Sequence, residues 1–188
     1  MRGLEVRPEE VDRDAVCSGR VLLVDAHQIA ATTRAAAWAK GAGIPVVVDA
    51  ERALPGVEGL LAHCDFIVCD QRFPAEFTGE SDPRRALGKL SRYGRLVAMT
   101  LGAEGSLAYT NGRFIQTPGY RVDCVDTTGA GDVFHGGFVA GLLLGYDAEG
   151  ALSFANATAA LKCRTLGGRA GIPTRREVLD WIGEPSQM

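Results

Sequence analysis

The sequence predicts an α/β fold, a mostly parallel sheet with helices on both faces. Three observations predict it. Apolar runs of strand length recur without a polar alternation, as in strands buried on both sides. Helical stretches separate these runs, the rhythm of crossover connections. Glycine, proline and Asn-Gly signals punctuate the joins.

The elements follow in order. RVLLVD at 20–25 is the first strand. IAATTRAAAWAKGAG at 29–43 is alanine-rich and ends in glycines, a helix with a stop signal. PVVVDA at 45–50, DFIVCD at 65–70 and RLVAMT at 95–100 are further buried strands. The helix DPRRALGKLSRYG at 82–94 lies between the last two. The rhythm then changes. SLAYTNGRFIQTP at 106–118 reads as a hairpin, because Asn111-Gly112 is a favoured type I′ pair. Two long helices follow at 130–145 and 148–163, the second with Asp147 as a plausible N-cap. Pro173 precedes a last helix at 174–182. Gly136, Gly137 and Gly141 each cost the first long helix roughly 1 kcal/mol against alanine. That cost points to a close neighbour or a ligand.

The bulk figures exclude several classes. The chain has 188 residues, 46% hydrophobic and 23% charged, with a formal net charge of -3. This is the profile of one globular domain over 1–188, and it argues against a basic nucleic-acid surface. No apolar run spans a bilayer, and the charged start MRGLEVRPEEVDRD has no signal-peptide core. Five scattered cysteines without a CxxC pair predict reduced thiols in a cytoplasm. His27, His63 and His135 lie far apart, with no zinc-ligand spacing.

The chemistry concentrates in VDTTGAGDVFHGGF at 125–138. Amides of a glycine-containing turn can converge on an anion, and a helix N-terminus adds the positive end of its dipole. Gly129, Ala130 and Gly131 thus look built to hold phosphate oxygens. A carboxylate inside such a turn repels its ligand unless it has a task. For Asp132 the task is to accept a hydroxyl proton as that oxygen attacks phosphorus. The plainer alternative also stands: Asp132 answers the helix dipole, and the glycines serve packing. Neither GxxxxGK[ST] nor GxGxxG is present.

DTTGAGDVFHGGF, with TLGAEGS before it and FANATAALKCRTLGGRAGIPT after it, resembles the ribokinase-like, PfkB-type carbohydrate kinases. The likeness runs from VLLVD to the end; residues 1–19 match poorly. It implies a three-layer α/β/α sandwich and transfer of the ATP γ-phosphoryl group to a hydroxyl of a sugar or sugar derivative. It makes Asp132 the base and Gly129 to Gly131 the anion hole. It sets Thr100, Gly102, Glu104 and Gly105 in the loop under the nucleotide, and Asn156 beside the adenine. Asn156 could equally be a polar helix-packing residue. Asp126 and Thr128 match the start of a loop that binds a monovalent cation in many relatives. Lys162, Thr165, Gly167 and Gly171 fall where the rest of that ring lies, so the resemblance allows potassium. An exposed helix-end lysine is an equal reading of Lys162. His135 either points toward the sugar or is a supporting or surface histidine. Asp25, His27 and Asp49 sit at strand ends, where open α/β sheets bind ligands. For Asp49, loop capping is an equal reading.

Two departures qualify the likeness. Relatives carry Asn-x-x-Glu to organise magnesium-bound water. In DQRFPAEFTG, Asp70 takes the asparagine position, Phe73 takes the glutamate position, and Glu76 is out of register. Magnesium would then be held mainly by the ATP phosphates. The Gly-Gly sugar motif, the first strands and the β lid of the family have no counterpart before Val21, so the N-terminal portion and lid are expected to be missing. A truncated non-catalytic nucleotide-binding remnant, or pseudokinase, is therefore the alternative. A half that borrows its missing part from another chain is a third reading. The implied partner is a small sugar, not nucleic acid or membrane, and a homodimer is among the open oligomeric states.

Overall fold

The computed structural model describes residues 5–187. A short 3-10 turn at Pro8–Glu10 leads to α1 (Arg13–Cys17). Then come β1 (Leu22–Asp25), α2 (Ile29–Gly41), β2 (Val46–Ala50), α3 (Val57–Leu61) and β3 (Phe66–Cys69). Next are α4 (Phe73–Thr78), α5 (Pro83–Leu90), β4 (Leu96–Thr100), β5 (Gly105–Thr110) and β6 (Arg113–Pro118). The chain ends with α6 (Ala130–Leu143), α7 (Ala148–Lys162) and α8 (Arg175–Ile182). The six strands form one sheet in the order β1-β2-β3-β4-β5-β6. The chain divides into two compact units, 1–99 with 109–113, and 100–108 with 114–188.

In the first unit β1 to β4 run parallel, each beside its predecessor in sequence. Every residue of β3 is buried, and Val46, Val47 and Val48 of β2 are buried in succession. Successive strand residues face opposite sides. Both faces are therefore covered, as the apolar runs predicted. Each such valine or isoleucine side chain contributes on the order of 1.5–3 kcal/mol by leaving water. The helix α2 turns Ala31, Ala35, Ala36 and Ala39 inward, a small-residue stripe of helical period. The parallel register sets Asp25 opposite Asp49 at the carboxyl ends of β1 and β2.

The turn after β5 has φ of 49° at Asn111 and 78° at Gly112. Both are positive, as a type I′ turn demands. In the second unit α6 and α7 pack closely. A Cβ built on Gly137 would lie 3.0 Å from the Ala155 Cα, and one on Gly141 would lie 2.9 Å from the Ala151 Cα. The helix-breaking cost of these two glycines thus has a packing reason. Gly136 has open space beside it. Asp147 caps α7 as expected, accepting the Gly150 N–H at 2.7 Å. The Tyr146 ring is fully buried, and its hydroxyl donates to Glu184 at 2.7 Å, tying the chain end to the α6–α7 corner.

Candidate functional site

The second unit holds a cavity of about 850 Å³, within the roughly 300–1,000 Å³ typical of small-ligand sites. One wall is the first turn of α6, where Ala130, Gly131 and Phe134 line it. Gly129 is the N-cap, with φ 74° and ψ 10°. That left-handed conformation suits glycine. A Cβ there would also come within 3.2 Å of the Gly168 carbonyl oxygen. The Ala130 N–H donates to the Thr127 carbonyl at 3.0 Å, and the Val133 N–H donates to the Gly129 carbonyl at 3.0 Å. Gly131 and Asp132, between them, lie in the first turn, where amides have no acceptor within the helix. The amides suited to an anion are thus those of Gly131 and Asp132, and Ala130 braces the turn. The Asp132 side chain is exposed.

A further part of the lining comes from the junction of β4 and β5. Thr100, Gly102 and Gly105 line the cavity. Gly105 has φ 97°, and a Cβ there would fall 2.1 Å from the Thr117 carbonyl oxygen. Glu104 sits in the exposed 3-10 turn of that loop and is not among the lining residues. Asn156 is 6% exposed and faces the cavity from α7. Its amide nitrogen donates to Ser106 Oγ at 3.1 Å and to the Thr117 carbonyl at 3.3 Å. It is a packing residue and a lining residue at once. Ala159 and Ala160 share its face of α7 at helical spacing, and Cys163, the C-cap of that helix, lines the cavity beyond them.

Several lining residues carried no recognisable pattern. The Tyr120 and Trp181 rings meet at a tilt, 5.0 Å between centroids, and both border the cavity. Tyr120 lies in a stretch without regular structure, and Trp181 is on α8, far along the chain. The Asn156-plus-three and plus-four spacing could have found Ala159 and Ala160.

The residues expected around a cation do come together. Asp126 Oδ1 accepts the Thr128 N–H at 2.9 Å, and Oδ2 accepts the Gly167 N–H at 2.7 Å. These amide bonds, chiefly that from Thr128, hold the Asp126 carboxyl down to about 2. Lys162 is fully buried, so it is not the exposed helix-end lysine that one reading allowed. Its Nζ donates to the Asp126 carbonyl at 2.9 Å. Thr165 donates its N–H to the Lys162 carbonyl at 3.2 Å. Gly171 packs so that a Cβ would lie 2.7 Å from that same carbonyl oxygen. His135 is 4% exposed and therefore not a surface residue. Its Nδ1–H donates to the Gly131 carbonyl at 2.7 Å, one turn back in α6.

The candidate magnesium segment offers less. Asp70 Oδ1 accepts the Arg72 and Phe73 amides at 2.9 and 3.0 Å, and its Oδ2 pairs with the Arg72 guanidinium at 2.9 Å. Phe73 is fully buried, and Glu76 pairs with Arg52 at 3.5 Å. Among the described residues no group of three or more His, Cys, Asp or Glu could hold a metal. At the strand ends, His27 lies 3.7 Å from Asp25 and 3.8 Å from Glu51, all exposed. No helix among the described residues is long and apolar enough to cross a membrane.

Comparison with known proteins meets this geometry. A profile described as pfkB family carbohydrate kinase matches residues 8–175. A ribokinase of Haemophilus influenzae is 33% identical over 154 residues, covering 79% of this chain and 50% of that protein. A ribokinase structure from Thermotoga maritima superposes with a TM-score of 0.82 at 26% identity, covering 94% of this chain and 61% of the other. An Arabidopsis thaliana ribokinase, complexed with ribose and ATP, gives 0.79 at 27% identity, covering 90% and 57%. The chain thus spans about half the length of the H. influenzae relative.

Proposed function

Because the chain belongs to the pfkB family of carbohydrate kinases, we propose that it transfers the γ-phosphoryl group of ATP to a hydroxyl of a sugar or sugar derivative. The observation that carries this reading is the first turn of α6. Its Gly131 opens into a cavity of ligand size, and the exposed Asp132 carboxylate follows directly.

In this reading the cavity takes the nucleotide. Thr100, Gly102 and Gly105 line its passage, and Asn156 borders the base. The Gly131 and Asp132 amides face the migrating phosphoryl group and offset its developing charge. Asp132 accepts the proton of the attacking hydroxyl, the role a carboxylate beside an anion site can fill. The described residues offer no preformed carboxylate cage, so magnesium, which screens phosphate charge when bound, would be held chiefly by the nucleotide.

The test is ADP release over a panel of pentoses, hexoses, ketoses and sugar phosphates, with Asp132→Asn beside the wild type. Turnover that depends on one sugar is expected. Asp132→Asn should lower kcat by about 10²–10⁴-fold while MgATP binding persists. Sugar-dependent turnover that survives the substitution would remove Asp132 from the role of base. Nucleotide binding without turnover on any sugar would instead assign the chain the non-catalytic role.

A further inference from the structure

The ring expected around a potassium ion is already knitted together by the protein's own groups. Lys162 carries its Nζ into the interior with no exposed surface, and spends a donor on the Asp126 carbonyl. Asp126 then grips Thr128 and Gly167 through its carboxylate. The Lys162 carbonyl takes the Thr165 N–H. The next link, Thr127 to Ala130, braces the anion turn itself. A buried ammonium is costly unless its donors are satisfied and a negative group lies near. Here the Asp126 carbonyl accepts one of those donors, and the Asp126 carboxylate is the nearby negative group. A potassium ion in such a loop would supply one positive charge to carbonyl oxygens. Lys162 supplies the same charge, covalently attached, at 2.9 Å from one of them.

We infer that the Lys162 ammonium takes the place of a monovalent cation in the 126–128 loop, so that the anion turn is ordered without potassium. The inference rests on the reading of that turn as the phosphoryl site. Lys162 acts as a positioning residue, through Asp126 and Thr127, and touches no substrate.

The experiment compares potassium, sodium and choline chlorides at matched ionic strength. Its readouts are the unfolding temperature, thallium-205 NMR as a probe for a bound potassium-sized cation, and MgATP affinity. The wild-type chain should show the same unfolding temperature in all three salts and no bound thallium. Lys162→Ala should lose roughly 5 °C or more of unfolding temperature. Potassium or methylammonium should restore part of that loss, and choline should not. MgATP affinity of the variant should fall about tenfold in choline and recover with the same two cations. Wild-type stabilisation by potassium over choline, or thallium bound to the wild type, overturns the inference. So does a folded Lys162→Ala chain indifferent to small cations. If that variant does not fold, the wild-type salt and thallium measurements still decide. Neither needs turnover or nucleotide, so failure of the kinase reading would leave a separate trace: absent MgATP binding beside an unchanged cation result.

Discussion

Gly137 of α6 and Thr158 of α7 approach so closely that a Cβ added to the glycine would lie 3.1 Å from the threonine Cβ. Backbone, not a flexible side-chain end, meets the new methyl on the other side, at the Ala155 Cα. The two helices that carry Gly131 and Asn156 are held at this spacing. Gly137→Ala must therefore push them apart or strain one of them. Its expected cost is about 1–3 kcal/mol, or roughly 2–10 °C in the unfolding temperature. Gly136→Ala, one residue away with nothing within 4 Å, should instead raise stability by about 0.5–1 kcal/mol. Thermal unfolding of the two variants checks the pair. Equal effects of the same sign would refute the packing account.

Asp126 predicts an acid-sensitive loop. Its folded carboxyl sits at about 2, below the ordinary 3.8, chiefly because the Thr128 and Gly167 amides bond the charged form. A group depressed in the folded state stabilises above its unfolded value and loses that contribution as the pH falls through its folded value. The contribution is thus whole above pH ~4 and fades toward about 2. Asp126→Asn should be less stable than wild type at neutral pH, with a gap that narrows across this window. Denaturant melts at stepped pH measure it. A gap that stays constant into acid would sink the assignment.

The strands of the first unit were legible because burial on both faces leaves unbroken apolar runs such as VVV at 46–48 and FIVC at 66–69. The long helices were legible through their length and the Asp147 cap. The helices α3 and α4 were not. Each spans little more than one turn, too short for a periodic stripe to build up. At the site, Ala130, Gly131, Thr100 and Asn156 sit in short motifs with local geometry, so their place along the cavity was readable. Tyr120 and Trp181 meet only through the tertiary fold. The burial of Lys162 was equally hidden: a lysine in a last helical turn fits solvent or interior alike, and the Asp126 carbonyl decides between them. Glu104, in the same motif as Thr100, sits in an exposed turn and does not line the cavity.

Thr117 offers a gain in stability. Its Oγ1 is buried without a hydrogen-bond partner among the described residues, and the residue is 4% exposed. A desolvated hydroxyl left unpaired costs about 1–3 kcal/mol. Thr117→Val keeps the branched shape and removes that group. The backbone carbonyl that accepts from Asn156 is untouched. The variant should melt roughly 2–4 °C higher. A lower unfolding temperature would mean that the hydroxyl has a partner, such as a bound water.

Ala160 tests the cavity as a nucleotide site without touching the reacting atoms. On α7 it follows Asn156 by four residues, on the same face, and both line the cavity. The side chain there is a single methyl, and space lies in front of it. Ala160→Phe would send a ring into that space. The change is made at a half-buried position with a cavity to accept the added volume, so the unfolding temperature should shift by no more than about 2 °C. MgATP affinity should fall at least about tenfold, which is ~1.4 kcal/mol of lost binding. Isothermal calorimetry and a thermal melt on the same sample separate the two effects. If affinity holds while the ring is accommodated, the nucleotide lies elsewhere, and the roles given to Thr100, Gly102, Gly105 and Asn156 fall with it.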